Sequence, residues 1–203
     1  CAAASAAVVG KREGEGPLGA CFDYVSADSY FGEKSWEAAE SHMIRHAFTL
    51  ACTRAGVSAE TLDIIISGDL LNQCVSTAFA MKDTGAPYFG VYGACSTMAE
   101  SLALAGMLTD GGYARAACAV TGSHFCTAER QYRFPLEYGG QRPPTSQWTV
   151  TGAGAVIVKA QGHGVRLTHV TAGRIVDAGI SDANNMCAAM APAAYDTLRA
   201  HFA

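Results

Sequence analysis

The 203-residue sequence is poor in charge: Lys, Arg, Asp and Glu make up 16% of it, with a formal net charge of -4. No cluster of Lys and Arg occurs anywhere, so the basic footprint that phosphate backbones require is missing and nucleic acid is excluded as an expected partner. No apolar run is long enough to cross a bilayer. The small, apolar start from Cys1 to Gly10 lacks a basic flank as well as length, so no targeting or transmembrane segment is expected. Internal repeats and low-complexity tracts are also lacking. Eight cysteines are present, but they are scattered and several sit in apolar runs, a pattern expected of reduced thiols in an intracellular protein rather than of a disulfide framework. The first residue is Cys rather than Met, and the expectation is a segment from inside a longer protein.

What is present is apolar substance. Half the residues are hydrophobic, enough for one well-buried domain and not comfortably for two. The opening to about Gly32, rich in glycine and short polar residues with turns marked by Pro17 and Gly19, reads as loop with at most one edge strand. Ser35 is placed to cap a helix whose apolar residues Trp36, Ala39, Met43, Ala47, Leu50 and Ala51 recur at helical spacing, with Gly56 as its stop. Glu37, Glu40, His42 and Arg45 fall on its polar face in this reading.

The run Asp63 to Ser67 is too short for a helix and rich in β-branched residues, which suits a strand buried on both faces of a parallel sheet. Leu71 to Lys82 reads as helix, Tyr88 to Tyr92 as strand, Thr97 to Leu108 as a helix apolar around most of its circumference, and Ala116 to Val120 as strand. A long Arg/Pro/Gly-rich loop follows from Glu129 to Ser146, a length more typical of a functional surface than of a connector. Ala153 to Lys159 and Val165 to Thr171 are expected to pair across the turn Gly162-His163-Gly164, and Met186 to Phe202 to form a last helix. The alternation of strand and helix defines an α/β layered domain.

Three buried strands each end at a polar residue: Asp69, the Cys95-Ser96-Thr97 cluster, and Ser123-His124. In open α/β sheets ligands collect beyond the carboxyl ends of the strands, so Asp69, Cys95 and His124 are expected to converge if the three strands are parallel. Cys95 lies between a strand and the start of a helix, where the dipole and free N–H groups favour thiolate, as a nucleophile or an anion site needs; the alternative is an inert structural thiol. His124 is either a hydrogen-bonded core histidine or a group facing a ligand. Asp69 is a candidate helix cap as much as a pocket residue. Arg130, Arg133 and Arg142, beside Tyr132, Tyr138 and Trp148, are candidates to grip a carboxylate, against the plainer reading of solvated loop charge. His42 and His46 have metal-ligand spacing without a third ligand, and His163 reads as a solvated turn residue; no metal site and no cofactor are expected.

The cysteine at a strand-turn-helix junction, with Thr151-Gly152-Ala153-Gly154-Ala155 before a late strand, resembles the first half of the thiolase and ketoacyl-synthase superfamily. The segments SGDLLNQ, GACSTMAES, SHFCTAERQYRFPLEYGGQRP, TVTGAGAV and MAPAAYDTL are similar to the stage V sporulation protein AD family within it. The resemblance implies the first half of a thiolase-like layered fold, as a single half-domain over residues 1–203: a mixed, mostly parallel sheet with a buried helix after the cysteine turn. It implies a non-enzymatic member that binds dipicolinic acid (pyridine-2,6-dicarboxylate), alone or as its calcium chelate, through Asp69, Cys95 and His124. Asp69 would meet the calcium ion or orient His124. The implied partners are the other proteins of the spore dipicolinate channel and a second copy in a homodimer. The implied place is inside a spore-forming bacterium, peripheral to the spore inner membrane. The superfamily's alternative chemistry is acyl transfer with Cys95 as nucleophile. The catalytic histidine and second cysteine of true thiolases belong to the second half, which should begin where this sequence stops.

Overall fold

The computed structural model describes residues 1–132, 149–182 and 185–203, the side chains of Glu129, Arg130 and Tyr132 excepted. The sequence-expected loop from Glu129 onward, with Arg133, Tyr138, Arg142 and Trp148, therefore lies largely outside the described residues, and the side chains of Arg130 and Tyr132 do so too. The chain divides into two compact units, Cys1–Arg166 and Leu167–Ala203.

In the first unit six strands form one mixed sheet. In chain order they are β1 (Ala2–Val9), β2 (Tyr24–Val25), β3 (Ile64–Asp69), β4 (Tyr88–Gly90), β5 (Ala116–Ser123) and β6 (Gly152–Lys159). Their order across the sheet is β2-β1-β6-β5-β3-β4. Strands β3, β4 and β5 run parallel, as do β1 and β2, while β6 is antiparallel to both of its neighbours, β1 and β5. The helices are α1 (Lys11–Gly14), α2 (Trp36–Ala55), α3 (Val75–Met81), α4 (Thr97–Asp110) and α5 (Phe125–Tyr132).

Helix α2 begins and ends where its caps predict. The Ser35 hydroxyl accepts from the Ala38 N–H, and Gly56 closes the helix in the left-handed conformation that costs a glycine nothing. Its buried stripe, including Met43, Ile44, Ala47 and Phe48, packs on β1, β5 and β6. Burial of Met43 and Ile44 alone contributes about 1.5–3 kcal/mol each. Alternation along the strands then sorts the sheet residues: Ile65, Cys118 and Val120 face α2, while Ile64, Ile66, Ala117 and Ala119 face α4. The result is a sheet with α2 and α3 on one face and α4 on the other.

Four expectations are corrected. The opening residues do not stay loop: Ala2–Val9 is an interior strand between β2 and β6, formed because β6 supplies an antiparallel partner along almost its whole length. Alanine-rich sequence carries little strand propensity, so only this long-range pairing decides it. The expected hairpin does not form. After Lys159 the described residues make one isolated bridge, Val165 to Ala2, and β6 pairs instead with β1 at the start of the chain and with β5, the strand before it in sequence. Helix α4 is not buried all round: Thr97, Ser101, Ala105 and Thr109, four apart, bury a narrow small-residue stripe, while Met107 is 53% exposed. Finally, Glu40 is not on the polar face of α2; it is fully buried.

In the second unit α6 (Met186–His201) is capped by the Asn185 side chain, which accepts from the Ala188 N–H at 3.3 Å. Arg174 grips Asp196 of this helix through two bonds of 2.8 and 2.7 Å. Residues 167–182 form no regular element.

Candidate functional site

The register of the parallel strands sets three chain segments side by side at the carboxyl edge of the sheet. Asp69 at the end of β3 is opposite Gly122 of β5, and Ser67 is opposite Gly90 of β4. The connection from β4 to α4, which carries Cys95, can lie close over β3 because residue 68 is glycine. A β-carbon there would overlap the Val91 carbonyl and come within 2.7 Å of the Thr97 methyl.

Topology brings the strand ends together, but the side chains part company. Cys95 is exposed, in a short 3-10 turn, Ala94–Ser96, that leads into α4. Ala94 before it is held at φ 46°, an unfavourable left-handed conformation for a residue with a β-carbon. The Ser96 hydroxyl, at the cap position of α4, turns back to donate to the Gly93 carbonyl at 2.7 Å instead of accepting from the helix. The first turn of α4 thus has no side-chain cap from Ser96, and its positive dipole end meets the surface beside Cys95.

Asp69 points inward and is 2% exposed. One of its oxygens accepts from the Leu71 N–H at 2.8 Å; the other accepts from the Thr77 N–H at 2.7 Å and the Thr77 hydroxyl at 2.8 Å. Thr77 lies in the first turn of α3, so the carboxyl caps that helix from the strand end. Burial raises the Asp69 pKa, although the N–H and hydroxyl donors of Thr77 and the Leu71 N–H pull it down. The segment between β3 and α3 is tight: Gln73 and Cys74 both have positive φ, and the Cys74 thiol donates to the Val91 carbonyl at 3.3 Å.

His124 is 1% exposed. Its Nδ1 accepts from the Cys126 N–H at 3.1 Å, which leaves Nε2 as the proton-bearing nitrogen, donating to the Ser29 carbonyl at 2.8 Å. The ring lies 5.0 Å from that of Trp36, the first residue of α2. Burial lowers its pKa, so the imidazole is neutral, with both nitrogens engaged inside the chain.

Glu40 and Thr127 were not singled out from the sequence. Glu40 sits three residues before Met43 and four before Ile44, both fully buried, so helical arithmetic alone would place it on the buried face. Its carboxyl touches the Thr127 hydroxyl of α5, and burial pushes its pKa up to about 8, with nearby Asp69 adding to the rise. His42 pairs with Glu33 at 2.9 Å, and His46 packs against Tyr24. Among the described residues no group of three His, Cys, Asp or Glu is arranged to hold a metal ion. None of the eight cysteines is in a disulfide.

Comparison with solved structures defines the class. The chain is similar to the tetronic acid condensing enzyme AbyA1 (19% identity, 88% of this chain and 60% of that one, TM-score 0.57). It is also similar to 3-oxoacyl-[acyl-carrier-protein] synthase III from Aquifex aeolicus (18% identity, 80% and 54%, TM-score 0.51). The fold is thiolase-like. A family model described as Stage V sporulation protein AD matches residues 1–203, and stage V sporulation protein AD of Bacillus subtilis (strain 168) is 42% identical over 193 residues. The chain belongs to the stage V sporulation protein AD family. It covers 57% of the length of that relative, and the match takes in 95% of the chain.

Proposed function

We propose that this chain is part of a non-catalytic binding protein for dipicolinic acid, free or as its calcium chelate, that supports uptake of the compound into the developing spore. The observation that carries the reading is the family match over the whole of residues 1–203, within a fold shared with condensing enzymes. The local geometry supports it. A carboxylate of the ligand would meet the N-terminus of α4 beside Cys95, where backbone N–H groups and the helix dipole favour negative charge and Glu100 is the acidic residue of the first turn. Tyr92, half exposed three residues before Cys95, offers a ring for the pyridine. Asp69 and His124 hold the adjacent strand ends in place by internal hydrogen bonds, with His124 neutral beneath the surface. The first half of a thiolase-like protein, acting as a homodimer with the other proteins of the spore dipicolinate channel at the inner membrane, completes this reading.

Calorimetric titration of dipicolinate, with and without calcium, into chain shown by circular dichroism to be folded is the test. Saturable heat is expected. A second reading, acyl transfer, is favoured by one observation: Cys95 is exposed on a backbone turn strained at Ala94. Incubation with an acyl-thioester separates the two, because an acyl mass increase located on Cys95 would replace the binding role by catalysis.

A further inference from the structure

Among the described residues, helices α2 and α5 meet at a buried polar contact. Glu40 is fully buried, and its Oε2 lies against the hydroxyl of Thr127, in the first turn of α5. The same hydroxyl lies 2.8 Å from the His124 carbonyl. A threonine hydroxyl has one proton and can donate to only one of these two oxygens. The arrangement closes when Glu40 is the neutral acid: its O–H donates to Thr127, whose own proton goes to the His124 carbonyl. As a carboxylate, Glu40 would compete with that carbonyl for one proton, and its second oxygen, Oε1, has no hydrogen-bond partner among the described residues.

The ionisable group that acts on Glu40 from a neighbouring element is Asp69 at the end of β3, and the His124 backbone at the start of α5 adds a hydrogen bond. Helix α3 packs against α2 with Ser76 and Thr77 as its buried polar residues. Strands β1, β5 and β6 meet α2 with apolar residues, and the thiols of Cys52 and Cys118 in that core are pushed up by burial and stay neutral. Nothing cationic among these groups would balance a charge on Glu40.

We propose that Glu40 is a proton-operated clasp: as the acid it holds the first turn of α5 against α2, and on giving its proton to solvent it releases Thr127 and loosens that turn. Because α5 starts directly after His124, the clasp also fixes the end of β5. Burial, reinforced by Asp69 and only partly offset by hydrogen bonding with Thr127 and the His124 backbone, raises the Glu40 pKa to about 8, so the clasp is shut at neutral pH and opens under mildly alkaline conditions.

Carboxyl carbon NMR of the chain labelled at glutamate tests this, the Glu40 signal being the one lost in Glu40→Gln. A midpoint near pH 8 is expected, and exchange of the Cys126 to Ala128 amides, corrected for its intrinsic pH dependence, should rise through the same midpoint. A midpoint near the ordinary 4.5, or corrected exchange that does not change with pH, overturns the proposal. Thr127→Val gives an independent check, since it removes the contact without removing an ionisable group. Its α5 amides should already exchange at least tenfold faster at neutral pH, and unchanged protection would also overturn the clasp.

Discussion

Asp69 and Thr77 are joined twice: one carboxyl oxygen of Asp69 accepts both the backbone N–H and the hydroxyl of Thr77, at 2.7 and 2.8 Å. This pair ties the end of β3 to the first turn of α3, and the Thr77 hydroxyl continues the chain to the Tyr88 hydroxyl of β4 at 3.1 Å. The carboxyl that the sequence offered as a helix cap as much as a pocket group does cap α3.

Asp69→Asn keeps the shape but turns an NH2 group toward one of three buried donors. A loss of about 2–3 kcal/mol is expected, the cost of leaving a buried donor without an acceptor. Urea unfolding measures it; a change below about 0.5 kcal/mol would show that the bonds do not hold the strand end.

His124 contributes to the pH dependence on the acid side. Its folded-state pKa is depressed by burial, so between the ordinary value of 6.5 and the lower folded value the unfolded chain binds the extra proton, and stability falls as pH drops through that window. His124→Ala should remain folded, lose about 2–4 kcal/mol with its buried ring, show less of this acid loss, and bind dipicolinate more weakly. Thermal melts of both proteins between pH 5 and 7 compare the slopes, and unchanged dipicolinate affinity would remove His124 from the site.

Thiol accessibility separates the exposed cysteines from the buried ones. Native chain treated with iodoacetamide should be alkylated at Cys95, Cys21 and Cys187, all exposed, while Cys52 and Cys118 stay unmodified until denaturant is added. Burial, which pushes the Cys52 pKa up to about 11, adds a chemical barrier to the steric one. Peptide mapping by mass spectrometry gives the order of labelling, and early modification of Cys118 would contradict its place in the core.

Gly68→Ala probes the approach of the Cys95 turn to the sheet. The added methyl meets the Val91 carbonyl and the Thr97 methyl, so β4 and α4 must move away from β3. A destabilisation of about 1–3 kcal/mol is expected from such overpacking, together with altered Cys95 alkylation. Stability and labelling both equal to the parent would mean that the turn has slack.

Much of the first unit was legible because its signals are local. Ser35 and Gly56 bound α2 by cap chemistry, and three consecutive isoleucines mark β3 through side-chain shape. The strand-end rule then located the edge of the sheet where Asp69, Cys95 and His124 fall, since helices between strands imply parallel pairing. The alanine-rich β1 and the partners of β6 were not legible. The β1–β6 pairing joins residues some 150 positions apart, and no residue near Ala4 or Ile157 encodes the other.

The sequence by itself determined the layered α/β class, the cap-bounded helices and the family, because propensity, periodicity and motif are properties of neighbouring residues. Only the tertiary structure decided what each polar group near the sheet edge does. It turned Asp69 and His124 inward to satisfy backbone partners, left Cys95 at the surface, and buried Glu40 against Thr127. The reason is that hydrogen bonding and desolvation depend on which groups meet in space, and these partners come from separate elements of the fold.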